Sequence, residues 1–231
     1  MQKQPLMGEI VAEFLGSMFL VMAAVASMIM FAEIFEATKA VAVLANAIAV
    51  AFVLCGLIEM FGGVSGAHFN PVVTMVIFFE KKIRPTKAAL FMLFQFVGGI
   101  TGTALSRLMF LDAVGPVLAV SDNVRNDFMF FGEIFGTFIL VLAILLLVKA
   151  GSNKISIIVG LLVGGQLMST SSTMFANPQV TVARMLTDTT SGIRPADGAI
   201  FIIMQITGAL LAYAVYRLVF AYTTINDTNL N

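Results

Sequence analysis

The 231-residue sequence is short of charge. Only 11% of its residues are Asp, Glu, Lys or Arg, whereas water-soluble domains carry about 25%. A chain this poor in charge cannot cover itself with a wetted surface, which excludes a soluble globular domain. The 13 basic and 13 acidic residues cancel, so neither nucleic acid nor a polybasic contact with headgroups is expected as a partner. The one cysteine, Cys55, cannot close an internal disulfide and reads as a small buried hydrophobe. His68 is the only histidine. With no nucleophile–base pair and no metal-ligand spacing near a candidate site, no enzyme, cofactor or metal is expected.

What the chain has in quantity is apolar sequence, 59% of residues with a mean hydropathy of +0.99. Six segments, 8–31, 41–61, 88–110, 128–148, 155–170 and 198–221, approach the roughly 20 apolar residues that cross a bilayer. Lys3, the apolar run from Ile10 and the triplet Ala24-Val25-Ala26 imitate a secretory signal. The run is longer than a signal core, so it is expected to stay as the first helix. Two shorter stretches, 70–79 and 178–187, each open on Asn-Pro. They are too short to span, and Asn at the cap with Pro at the first helical position marks a helix start. Each is expected to be a re-entrant half-helix entered through a loop of small residues.

The two halves repeat. Residues 12–21 answer 132–141 at an offset of 120, and Asn70-Pro71-Val72-Val73-Thr74 answers Asn177-Pro178-Gln179-Val180-Thr181 at 107. Arg84-Pro85, Gln95, Gly98 and Arg107 answer Arg194-Pro195, Gln205, Gly208 and Arg217 at 110. Each half holds three spans, so the second enters the bilayer inverted and the half-helices meet at the midplane. The expected fold is an all-α membrane protein, six transmembrane helices plus two half-helices. It forms one channel domain over 1–231, with repeats of about 8–110 and 128–221. Eight Lys or Arg on one side against five on the other place both termini in the cytoplasm of a cell membrane.

Irregular backbone survives at membrane depth only inside protein or along a water-filled cavity. The predicted waist is Asn70, Pro71, Val72, Asn177, Pro178 and Gln179, with two amide donors at two positive helix ends that repel cations and protons. Carbonyls of Gly66, Ala67, His68 and Phe69, and of Thr173, Met174, Phe175 and Ala176, supply acceptors. Donors flanked by acceptors suit water or a neutral hydroxylated solute. Glu13 and Glu133 stand at matching repeat positions; they either brace the re-entrant loops or form a proton relay, and a relay needs more titratable groups than are present. Glu59 is a further intramembrane acid without a functional reading.

The run Ser65-Gly66-Ala67-His68-Phe69-Asn70-Pro71-Val72-Val73-Thr74, the inverted repeat with its two glutamates and the second Asn-Pro together resemble the aquaporin and aquaglyceroporin family of major intrinsic proteins. The resemblance implies one pore per subunit and a homotetramer. It also implies a passive channel for water and small uncharged solutes such as glycerol, urea and metalloid hydroxides like arsenous acid. The family's usual motif is Asn-Pro-Ala; Val72 and Gln179 replace the alanines. Counting from the asparagines, the family's outer selectivity filter falls on Val50, Gly165, Met174 through its carbonyl, and Val180 where most members carry arginine. Such a ring is uncharged and permissive. Arg184, four residues beyond Val180, either reaches the outer vestibule and partly replaces that arginine, or pairs with Asp188 at i+4 or snorkels to headgroups. The alternative to a channel is an inverted-repeat secondary transporter, which needs ionisable coupling residues near the waist.

Overall fold

The structure is a computed structural model that describes residues 5–228, with side chains to residue 220; Lys3 lies outside the described residues. Among these the chain forms α1 (Leu6–Met28), a π-helical continuation (Ile29–Ile34), α2 (Lys39–Phe61), α3 (Pro71–Phe79) and α4 (Pro85–Met109). There follow α5 (Leu111–Val114), α6 (Asp127–Lys149), α7 (Ile155–Ser169), α8 (Pro178–Arg184) and α9 (Pro195–Thr228). α1 with its continuation, α2, α4, α6 and α9 are long and apolar enough to cross a membrane. α7 has 15 residues, about 22 Å of helix, and the chain beyond it runs on through the extended Thr170 into the second re-entrant loop.

The half-helices begin where the Asn-Pro pairs predict. Asn70 Oδ1 accepts from Val72 N at 3.1 Å and Asn177 Oδ1 from Gln179 N at 3.2 Å, each cap followed by Pro at the first helical position. α8 ends at Arg184, short of the predicted 187. α4 and α9 each start on a proline three residues earlier than the hydropathy pattern suggests, since a missing N–H is harmless in the first turn.

Packing follows the repeat. α1 lies along α4 and α6 along α9, while α2 lies along α7. A Cβ at Gly98 would strike the carbonyl oxygen of Phe14, and one at Gly208 that of its counterpart Ile134. Glycine at these two positions lets the helix backbones touch, an approach typical of membrane helix pairs. Large apolar side chains such as Phe52, Phe128, Phe135 and Leu161 point outward, the inverse of a soluble surface. Six crossings return both described ends to one face, called here the terminal face; the loops 35–38, 110–126 and 185–194 form the far face.

Arg107 holds the far-face loops. It is fully buried, with Nε donating to Pro116 O, Nη2 to Val114 O, and Nη1 to Thr187 Oγ1 and the Asp188 carboxylate. That contact occupies Asp188, so the predicted Arg184–Asp188 pair does not form.

Candidate pore and its outer junction

The site is built from two loops of the same shape. Gly66, Ala67 and Phe69 have positive φ, and so do Thr173, Met174 and Ala176, the same three positions 107 residues on. Five of the six are not glycine, so the left-handed backbone is costly and must be held from outside.

Glu13 and Glu133 do the holding. Glu13 Oε1 accepts from Ser65 Oγ at 2.6 Å and His68 N at 3.0 Å, and Oε2 from Phe69 N at 2.8 Å. Glu133 accepts from Phe175 N and Ala176 N, both at 2.8 Å. A trans peptide sets C=O opposite its N–H. The carbonyls of Ala67 and His68 therefore face away from Glu13, and those of Met174 and Phe175 away from Glu133.

Two residues that the sequence marked only as repeat matches complete the brace. Gln95 Nε2 donates to Glu13 Oε2 at 2.7 Å and to Thr74 Oγ1 at 2.9 Å. Gln205 Nε2 donates to Glu133 Oε2 at 2.6 Å and to Thr181 Oγ1 at 2.8 Å. The signal was their common offset, 110, with no chemistry attached.

The asparagines tie the loops together. Asn70 Nδ2 donates to Ala176 O and Asn177 Nδ2 to Phe69 O, both at 2.8 Å. Each amide has a second hydrogen left for a solute.

One cavity of about 330 Å³ runs through this waist, from Lys82 and Ile83 near the terminal face to Arg184. Gly66, Ala67, His68, Phe69, Asn70, Met174, Phe175, Ala176 and Asn177 line it. So do Val73 and Ile77 on α3 and Val180 and Arg184 on α8, each pair continuing from its capping asparagine at i, i+3, i+7 along one helix face. Arg184 is the repeat counterpart of Ile77.

That phase corrects several sequence expectations. Val72 and Gln179, two residues after each asparagine, are not among the lining residues, nor are Pro71 and Pro178. Val72 is packed in a cluster with Ala209 and Tyr216. Gln179 is fully buried; its Nε2 donates to Phe69 O at 3.2 Å and its Oε1 occupies the space where Gly99 lacks a side chain. It therefore leaves the waist unobstructed.

Val50, Met174 and Val180 line the cavity, but Gly165 does not. α7 instead presents Val163 and Leu167, and a Cβ at Gly165 would meet nothing within 4 Å. Two residues from each of them at 3.6 per turn, Gly165 lies on the opposite side of α7. Counting back from Asn177 missed this because a count carries no helix phase.

Arg184 is 4% exposed and lies at the cavity's far end. Its Nε donates to Ser191 O and its guanidinium stacks on Phe175, 3.7 Å from the ring centre. Beyond it a second cavity of about 220 Å³ opens, lined by Lys39, Arg125, Thr173, Thr190 and Asn123 among others. Thr173, predicted in the carbonyl column, belongs to this vestibule. Arg184 and Asn46 line both spaces and form their junction; nothing in the sequence singled out Asn46. Burial lowers the Arg125 pKa from its ordinary value, with Glu133 and Asp197 opposing the shift. Glu59, the unexplained acid, accepts from Ser156 Oγ at 2.8 Å across α2 and α7.

Comparison with known proteins agrees with this architecture. The family profile "Major intrinsic protein" matches residues 1–175. Aquaglyceroporin AqpS of Rhizobium meliloti (strain 1021) is 39% identical over 218 residues, 94% of this chain and 92% of that protein. The probable aquaporin AqpM of Archaeoglobus fulgidus is 30% identical over 73% of each chain. The X-ray structure of the aquaglyceroporin from Plasmodium falciparum superposes with a TM-score of 0.70 over 92% of this chain and 96% of that one, at 19% identity, a likeness of fold. The chain belongs to the major intrinsic protein family, whose members are membrane channels rather than enzymes.

Proposed function

We propose that this chain is a passive pore for water and small uncharged solutes, glycerol foremost, with urea and metalloid hydroxides such as arsenous acid inside the same chemistry. The observation that carries the reading is the continuous cavity through the two asparagines. Its walls are apolar apart from the carbonyl column, the two amides, Asn46, His68, Lys82 and Arg184, and no carboxylate lines it among the described residues. A solute with several hydroxyls finds acceptors along one wall and donors at the waist. A cation meets two positive helix ends and no counter-charge.

The same census disfavours an ion-coupled transporter, which needs titrating acids beside the waist. The outer filter in this reading is Val50, Met174 through its carbonyl, Val180 and Leu167, with Arg184 at its rim. It is wider than a ring with arginine in Val180's place and narrower than one with a glycine on α7. The relative named aquaglyceroporin supports glycerol. By family resemblance the assembly is a homotetramer of single-domain subunits, and basic-residue placement sets the terminal face on the cytoplasmic side of a bacterial plasma membrane.

Stopped-flow light scattering on proteoliposomes tests this. Glycerol flux proportional to its gradient, and unchanged when proton and sodium gradients are collapsed, is the expected result. Dependence on either gradient would overturn it.

A further inference from the structure

The vestibule beyond Arg184 is built for a ligand that the pore reading does not use. Lys39, Arg125 and Arg184 all line it and no carboxylate does among the described residues. Arg184 is buried, yet Nε is its one side-chain nitrogen with a protein hydrogen-bond partner among the described residues, and no acid pairs with it there. Arg125 also lies over the Phe175 ring, 5.5 Å from its centre. Two cations on one ring repel each other, and a buried cation without a partner is costly.

The nearby acids are already engaged. Glu133 is within electrostatic reach of both arginines, but its oxygens accept from Phe175 N, Ala176 N and Gln205 Nε2. Asp197 accepts from Arg125 N and pairs with Arg194 at 2.7 Å. Glu33 accepts from Thr190 N and Oγ1. Three cations, Lys39, Arg125 and Arg184, thus line the vestibule, and Glu133, Asp197 and Glu33 are each already held by other donors.

The geometry points to a binding site for a small monoanion of the carboxylate class in this vestibule, seated on the free edge of Arg184 and flanked by Arg125 and Lys39. A carboxylate matches the guanidinium fork with two parallel hydrogen bonds, and its negative charge meets a lining that holds three cations and no acid among the described residues. The anion stops there. Beyond Arg184 it would have to leave its water among Val180, Val50 and Leu167, where nothing replaces it. The site is therefore an antechamber that holds anions at the entrance of a pore for neutral solutes. It rests on the pore reading only for that placement.

The test is calorimetric titration of the full chain in nanodiscs with sodium acetate at pH 7, ionic strength held constant with sodium chloride. Saturable one-site binding is expected, weakened about tenfold in Arg125→Gln and several-fold in Lys39→Glu, a change at an exposed side chain. No saturable heat, or acetate affinity unchanged in both variants, would overturn the site. If Arg125→Gln does not fold, Lys39→Glu alone decides. Glycerol flux is measured without acetate on proteoliposomes made from the same purified protein. Flux without acetate binding defeats the vestibule site alone, and acetate binding without flux supports it while defeating the pore reading.

Discussion

Arg184 lays its guanidinium on the ring of Phe175, 3.7 Å from the ring centre, at the boundary between pore and vestibule. In the proposed filter Val180 stands one turn earlier, where most family members carry arginine, which puts the positive charge of Arg184 at the rim of the constriction instead of within it. Arg184→Ala is expected to raise glycerol flux relative to water flux in swelling assays. Val180→Arg is expected to lower glycerol flux more than water flux. Equal changes in both solutes for both variants would contradict this placement.

The glutamate braces carry strained loops, so their loss has a cost in stability. Glu133→Gln turns an amide toward donors that now have an acceptor, Phe175 N, Ala176 N and Gln205 Nε2. The one oxygen that Gln keeps still serves part of this set, so at roughly 1–3 kcal/mol for each buried group left unsatisfied the loss should be about 1–3 kcal/mol. It is read as a lowered Tm in detergent together with loss of solute flux. Glu13→Gln should behave alike.

Gly165 and Leu167 separate the two ways of placing the α7 filter residue. Gly165→Ala puts a methyl where no heavy atom lies within 4 Å; stability should rise by up to about 1 kcal/mol from the better helix former, and the glycerol-to-water flux ratio should be unchanged. Leu167→Ala removes a side chain from the cavity wall and should raise that ratio. Reversed effects would restore Gly165 to the filter.

Gln179 is expected to act on stability alone. Gln179→Ala removes one of two side-chain donors to Phe69 O and leaves space beside Gly99, a loss of about 1–2 kcal/mol in unfolding free energy. Because the side chain does not line the pore, water permeability per folded channel should stay constant.

What the sequence made legible was local or repeated. An Asn-Pro cap acts within three residues, and an acid inside an apolar span needs partners whatever the fold, so Asn70, Asn177, Glu13 and Glu133 could be read without coordinates. Two kinds of information were missing. Helix phase was one: Val72 and Gln179 follow from the Asn-Pro motif and Gly165 from a count back from Asn177, and none of the three lines the cavity. Long-range competition was the other. Asp188 is four residues from Arg184, the right spacing for a pair, but Arg107 reaches it from 81 residues away and frees Arg184 for Phe175. Asn46 and Leu167 became visible only once α2 and α7 were seen against the cavity.

The central claim is that the waist passes neutral molecules and holds back charge. Its most direct test loads proteoliposomes with a pH-sensitive dye and follows glycerol entry and internal pH together under an imposed proton gradient. Rapid glycerol entry, with internal pH changing no faster than in protein-free liposomes, is the predicted result. Proton entry that rises with the amount of reconstituted protein would contradict the account.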